Sequence, residues 1–316
     1  MRPLSNAFTS YGWAMATAEA ARIAGLAPHE VLRFDGNTPP RPPAYATEAT
    51  IADALAEIQR YPHGGFPALL DAIAEYAGVD QERIVLGAGA DDLLLLCGRA
   101  FAGPGDVVRV LDEPTYPVFR LAAWLAGADV GDENAVLTYC CRPHNPTGAL
   151  GQVPKDRPLV VDEAYFEFAA DTVAGTPGVI AVRTFSKAFA LAAARVGYAV
   201  ADTDVAQELV VRQDPLPITT LSAALALAAL RAGSPDVSET IAERERLASR
   251  LRELGLEPLA SHTNFVYVPM ESAKETYERL LRLGLVVRPF DDAIRITVHA
   301  PQANDRLLDA LEQANG

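Results

Sequence analysis

From residue 83 to about residue 200, short apolar runs alternate with stretches of helical period, and this alternation constrains the fold more than any other feature. The runs Val107–Leu111, Ala135–Cys141, Leu159–Val161, Val179–Arg183 and Tyr198–Ala201 read as strands. Asp91–Phe101 and Tyr116–Ala126 read as helices. Strands that alternate with helices predict an α/β fold, a mostly parallel sheet flanked by helices on both faces. Sheets of this kind bind ligands beyond the carboxyl ends of their strands. The residues of greatest chemical interest fall there, directly after an expected strand or in the loop that follows.

Flanking segments complete the plan. Residues 37–43, Asn-Thr-Pro-Pro-Arg-Pro-Pro, read as an extended arm, because proline suits neither a helix interior nor a central strand. Glu48–Arg60 and Pro67–Tyr76 have helical character. So do Ile218–Arg231 and Ser234–Leu254, the latter stopped by Gly255. Beyond them Phe265–Val268, Glu271–Arg282, Leu285–Arg288, Ala293–Val298 and Gln302–Gln313 read as strand, helix, strand, strand, helix. We therefore expect an arm over 1–44, a large domain over 45–230 and a smaller α+β domain over 231–316.

With 41 acidic against 27 basic residues, the net charge of −14 argues against nucleic acid or an anionic membrane as a general partner. A local arginine cluster can still bind a small anion. No apolar run approaches the ~18 residues of a membrane span, and Met1–Asn6 does not begin a signal peptide, so a cytoplasmic address is expected. Cys97, Cys140 and Cys141 have neither disulfide nor metal spacing and read as small buried hydrophobes. No metal is expected.

Lys187 lies in Arg183-Thr-Phe-Ser-Lys-Ala-Phe, with Arg195 eight residues on. A lysine can form a Schiff base with a carbonyl. The hydroxyls of Thr184 and Ser186 and the Arg195 guanidinium can hold a phosphate beside it. A cofactor with both an aldehyde and a phosphate is pyridoxal 5'-phosphate. Asp162 ends an apolar strand, where a carboxylate is costly unless partnered. It reads as the partner of a pyridine nitrogen, or as a helix cap or ion-pair residue. Tyr165, three residues on, reads as a contact to the ring's phenolic oxygen or as packing. Asn145-Pro-Thr-Gly148 reads as a turn, or as a second contact to that oxygen. Gly87-Ala-Gly-Ala-Asp-Asp92 opens a helix whose first N–H groups suit one phosphate better than a dinucleotide. Tyr116 could stack on a planar ring or fill a core. Arg288 and Arg295, on the two late strands, suit a carboxylate or phosphate.

The segments Gly89-Ala-Asp-Asp, Pro114-Thr-Tyr, Asn145-Pro-Thr-Gly, Asp162-Glu-Ala-Tyr, Thr184-Phe-Ser-Lys and Arg195-Val-Gly-Tyr occur in the order found in the fold-type I, aspartate-aminotransferase-like enzymes that use pyridoxal phosphate. The chain most resembles the histidinol-phosphate aminotransferase group. Arg60-Tyr-Pro, Val287-Arg-Pro-Phe and Ile294-Arg-Ile-Thr-Val extend the likeness. The resemblance implies that Lys187 carries the cofactor and shuttles a proton, and that Asp162 pairs with the pyridine nitrogen. Tyr165 and Asn145 would contact the phenolic oxygen, and Tyr116 the ring face. Gly89, Ala90 and Asp91, with Thr184, Ser186 and Arg195, would form the phosphate cup. Tyr61 would reach the phosphate of a neighbouring protomer, which implies a homodimer with shared sites. Arg295 and Arg288 would bind the anionic group of a small amino donor or keto acceptor, with Asn37 and Arg41 alongside.

Departures from the resemblance bear on substrate and packing. Arg41 stands where the group often has a tyrosine. Only 28 residues separate Tyr116 from Asn145 and only 16 separate Asn145 from Asp162. The segment Gly151–Arg157 is too short for a full crossover helix, so one covering element should be missing, with a partner subunit as the alternative cover. Three readings stand: an aminotransferase; an amino-acid decarboxylase on the same scaffold; and a non-catalytic, cofactor-binding regulatory domain.

Overall fold

A computed structural model of the protein describes Phe8, Gly12 and residues 14–315. The expectation for Met1–Asn6 and the first part of the arm lie outside the described residues. In chain order the elements are α1 (Thr17–Ala24), β1 (Leu32–Arg33), α2 (Glu48–Ala56), α3 (Pro67–Ala77), β2 (Ile84–Gly87), α4 (Ala90–Phe101), β3 (Val107–Val110), α5 (Val118–Ala126) and β4 (Asp129–Val130). Then come β5 (Ala135–Cys141), β6 (Leu159–Asp162), α6 (Phe166–Ala169), β7 (Val179–Thr184), β8 (Gly197–Val200), α7 (Thr203–Arg212), α8 (Thr220–Arg231) and α9 (Ser238–Glu253). The chain closes with β9 (Phe265–Pro269), α10 (Ala273–Arg282), β10 (Leu285–Val286), β11 (Arg288–Pro289), β12 (Ala293–Thr297) and α11 (Pro301–Asn315).

Seven strands form the central sheet in the order β2-β8-β7-β6-β5-β3-β4. β8 is antiparallel to both neighbours and every other pairing is parallel. The expected α/β class therefore holds. Alternation along the strands sorts side chains between the two faces. Val160 on β6 and Leu137 and Tyr139 on β5 pack against α4 and α5, while Leu159, Val161 and Cys140 point the other way. A second unit stands on β11-β12-β9, with α9, α10 and α11 burying Leu247, Leu251, Leu280, Leu307 and Leu311 against Val266, Val268, Ile294 and Ile296. β1 pairs in parallel with β10, which brings the start of the chain to this unit. Among the described residues no helix is long and apolar enough to cross a membrane.

Several boundaries differ from expectation for physical reasons. Helix α2 stops at Ala56 rather than Arg60; Leu55 and Ile58 are exposed, so no packed face holds a further turn. Helix α5 starts at Val118 behind Pro117, two residues late. Helices α1 and α7 were not expected. Each buries only two residues, Ala20 and Ala21 or Ala206 and Leu209, which is too narrow a stripe to stand out as a period. Strand β2, only four residues between the α3 loop and the glycine-rich segment, is likewise not among the expected strands. The expected strand Leu285–Arg288 breaks into β10 and β11, which pair in different sheets. Between Cys141 and Leu159 no helix forms, as the shortness of that segment implied.

Candidate active site

Beyond the carboxyl ends of β5, β6 and β7, a cavity of about 360 Å³ is closed on its far side by residues of β11 and β12. This is a size typical of small-molecule sites. Strand register brings its floor together. Asp162 pairs across with Cys141 on one side and Val182 on the other, and Thr184 ends β7 on the same face two residues later.

Asp162 is 3% exposed. Its Oδ1 accepts from the Ala164 N–H at 3.0 Å, and the Cys141 thiol lies 3.9 Å from Oδ2. Burial pushes the carboxyl up to about 7, against the pull of the Ala164 N–H and of Lys187. Lys187, from the loop after β7, points its Nζ into the same cavity, 5.7 Å from the Tyr165 ring centre and 3.3 Å from the Gly36 carbonyl oxygen. Burial, helped by the Arg295 charge, lowers the amine to about 8. One cavity thus holds an acid shifted up and a base shifted down, the pairing that marks sites of proton transfer.

A cup of donors adjoins this pair. Gly89 caps α4 with φ of 85°, so the first N–H groups of Ala90 and Asp91 face the cavity mouth. A Cβ at Gly89 would lie 2.5 Å from Arg195 Nη2 and push that guanidinium aside, and the positive φ itself favours glycine there. Gly197 is equally constrained: its Cβ would meet Arg183 O at 2.7 Å. Thr184 Oγ1 donates to Ser186 Oγ at 2.8 Å, and Arg195 Nη1 lies 3.5 Å from the same Oγ. Arg195 also pairs with Asp91 at 3.0 Å, and Tyr116 Oη donates to the other oxygen of Asp91 at 2.7 Å.

On the opposite wall Arg288 and Arg295 are cross-strand neighbours in the β11–β12 register. Arg295 donates to Asn145 Oδ1 at 2.5 Å and to the Asp35 carbonyl oxygen at 3.0 Å, while Arg288 is exposed at the mouth. Lys187, Asp162, Tyr165, Ala90, Asp91, Tyr116, Asn145, Thr184, Ser186, Arg195, Arg288, Arg295 and Asn37 all line the cavity, with Gly89 directly behind. Tyr61 and Arg41 do not. Tyr61, expected to serve a neighbouring protomer's site rather than this one, lies between α2 and α3 and is 75% exposed. Arg41 is exposed as well, and the lining contributed by this segment ends at Thr38.

Asn37, expected on the substrate side, lines the cavity but is 2% exposed, and its Nδ2 donates to Tyr165 Oη at 2.9 Å. Asn145, expected to contact the same phenolic oxygen as Tyr165, accepts from Arg295 through its Oδ1, which leaves its amide nitrogen as the donor on the cavity side. Sequence reading missed Arg33 and Asp35, which form a two-pronged ion pair in the cavity wall, and Cys141 beside Asp162. It also missed Thr297, although the two-residue spacing from Arg295 along a strand puts both on one face.

Residues 30–132 and 129–311 match the family described as aminotransferase class I and II. A histidinol-phosphate aminotransferase of Staphylococcus haemolyticus is 35% identical over 309 residues, covering 85% of this chain and 87% of that protein. The crystal structure of histidinol-phosphate aminotransferase from Sinorhizobium meliloti in complex with pyridoxal-5'-phosphate superposes with a TM-score of 0.87 at 26% identity, over 100% of this chain and 97% of that one. The L-threonine-O-3-phosphate decarboxylase of Porphyromonas gingivalis, 21% identical with a TM-score of 0.79 over 90% and 99% of the two chains, shares the fold.

Proposed function

The chain belongs to the class I and II aminotransferases, and from that premise we propose that it moves an amino group between small anionic substrates at the cavity above β5–β7, with pyridoxal 5'-phosphate as its cofactor. The residues present suit that group. A buried carboxyl without a cationic hydrogen-bond partner matches a protonated pyridine nitrogen. The cup at Gly89, cleared of any Cβ and edged by Ser186, Thr184 and Arg195, matches a phosphate. When bound, the cofactor supplies an aldehyde and an electron-withdrawing ring.

The chain's own residues would do the rest. Lys187 is the amine that would reach the aldehyde, and being lowered to about 8 it is partly unprotonated near neutrality, so it can take a proton from the substrate carbon and, once protonated, deliver it again. Asp162, in its ionised form, holds the ring nitrogen protonated. Tyr165 and the amide nitrogen of Asn145 donate toward the ring's phenolic oxygen, and Tyr116 covers the ring face. Arg295, with Arg288 at the mouth, orients a carboxylate or phosphate of the substrate. The relatives act on histidinol phosphate; with Arg41 outside the cavity, the arginine pair is the part of this site suited to such a phosphate.

Tyr61 is read as serving a second copy of the chain. Leu55 in α2, and Ile58 and Tyr61 in the segment after it, are exposed apolar side chains, which suits contact with a second copy. We read the chain as an arm over 1–44 and two domains that meet at the cavity, and place the enzyme in the cytoplasm. The observation that carries the proposal is the facing pair, Lys187 shifted down and Asp162 shifted up in one cavity. The test is a half-reaction screen: amino acids and histidinol phosphate are mixed with the loaded enzyme. Amine transfer without carbon dioxide release supports the reading. Release of carbon dioxide would favour decarboxylation instead.

A further inference from the structure

Residues 34–37 form a strap whose four consecutive carbonyl oxygens are each taken by a different donor. Phe34 O accepts from Thr297 N at 2.8 Å and Asp35 O from Arg295 at 3.0 Å. Gly36 O accepts from Lys187 Nζ at 3.3 Å and Asn37 O from Asn264 Nδ2 at 3.0 Å. The strap ends at Asn37, held in the left-handed region at φ of 51°.

Asn37 is fastened from two sides by side chains of the C-terminal unit. Thr297 Oγ1 accepts from Asn37 N at 2.9 Å and donates to Asn37 Oδ1 at 3.1 Å. Asn264 grips its carbonyl oxygen. Thr297 is wholly buried, and Asn264 and Asn37 are each 2% exposed. With its backbone and amide oxygen fixed, Asn37 presents Nδ2 to Tyr165 Oη at 2.9 Å. A tyrosine oxygen that accepts there keeps its own hydrogen for another acceptor, and Tyr165 lines the cavity.

The two polar residues have little else to do. Both hydrogen bonds of the Thr297 hydroxyl go to Asn37. The Asn264 Oδ1 atom is buried with no hydrogen-bond partner among the described residues. An amide kept at the cost of one unsatisfied oxygen is a poor packing choice, since an apolar side chain of that shape would avoid the penalty. Its nitrogen serves Asn37.

We propose that Thr297 and Asn264 are positioning residues for amino transfer, acting through Asn37 to hold the Tyr165 hydroxyl aimed at the cofactor's phenolic oxygen. The proposal rests on the reading of Tyr165 given under the proposed function. Around that hydroxyl stand Asn37 from the strap, Arg295 from β12, Cys141 from β5, Asp162 from β6 and Lys187 from the loop after β7; none of these is altered in the test.

The experiment uses the full chain loaded with pyridoxal 5'-phosphate and follows its visible absorption band against pH. Thr297→Val should raise the pH midpoint of that band by about half a unit and lower kcat roughly 5- to 10-fold, the loss of one aligned hydrogen bond. KM for the anionic substrate should stay within about twofold, because Arg295 keeps its contacts. Thr297→Ser should restore the parent midpoint. Tyr165→Phe should shift the midpoint by itself, and Thr297→Val added to it should do nothing more. If Tyr165→Phe shifts the band and Thr297→Val does not, the inference is wrong while the reading of Tyr165 stands. If Tyr165→Phe leaves the band unmoved, the reading of Tyr165 fails and takes the inference with it. Where Thr297→Val does not give folded protein, Asn264→Ala carries the same test, since it removes a bond to Asn37 without touching the strand that bears Arg295.

Discussion

Replacing Asp162 by asparagine should make the cofactor-free protein more stable near pH 8 and the enzyme nearly inactive. The carboxyl is buried at 3% exposure, and burial lifts it from 3.8 to about 7. At 1.36 kcal/mol for each tenfold change in proton affinity, forcing it to ionise in the folded state costs roughly 4 kcal/mol. A group raised in this way favours folding most below its unfolded value of 3.8, and that benefit is lost as pH rises through about 7. Asparagine keeps an oxygen for the Ala164 N–H but brings an amide that must be buried, which returns about 1–3 kcal/mol of the gain. That correction does not depend on pH, so the pH dependence of the difference isolates the carboxyl. Denaturant unfolding of both cofactor-free proteins at about pH 5.5 and about pH 8 should show the advantage of Asp162→Asn growing by about 2 kcal/mol toward the higher pH. Adding pyridoxal 5'-phosphate should stabilise the parent more than the variant, because only the parent gains a charge partner. An advantage that is flat with pH, or that shrinks toward pH 8, would refute the reasoning that this carboxyl waits unpaired for a cation.

Lys187→Ala should lose the visible band that borohydride reduces; a reducible band retained on the variant would remove Lys187 from its role. In the cofactor-free parent, the rate of aldehyde capture should rise with pH around a midpoint of about 8, as the amine deprotonates, and a midpoint near the ordinary 10.5 would contradict the desolvation argued for Nζ. Arg295→Ala should lower kcat/KM for an anionic substrate by about 2–5 kcal/mol, roughly 30- to 5,000-fold, while a neutral analogue is little affected. Mixing inactive Lys187→Ala chains with inactive Tyr61→Ala chains should restore about a quarter of the parent activity, in hybrid dimers with one intact site, if sites are shared between copies; full activity in a monomer would rule that role out.

What the sequence disclosed, and what it hid, divides by distance along the chain. Apolar alternation located five strands of the central sheet, and residues placed at their ends by that reading, Asp162, Thr184 and Lys187 among them, meet in one cavity. Those signals are local, since a strand and the loop after it are written within ten residues. The partners of Tyr165 and Asn145 were not local. Asn37 reaches Tyr165 across 128 positions and Arg295 reaches Asn145 across 150, and no spacing rule predicts which of several polar residues fills such a contact. Arg41 shows the converse: it sits in the right segment, yet the lining of the cavity stops three residues before it.

The strap over residues 34–37 also sets an order of events during synthesis. Its contacts to Thr297 span 260 positions, so the strand that supplies them is made long after the strands of the central sheet. Domains generally fold as they emerge, and closures this long come late. The central sheet, with Asp162 and Lys187 at the carboxyl ends of its strands, can therefore form while the far wall of the cavity does not yet exist. A nascent chain in that condition carries a reactive amine without the residues that would aim a substrate. The chemistry waits for β12, and a chain cut short before Ala293 would keep its floor and lack its aim.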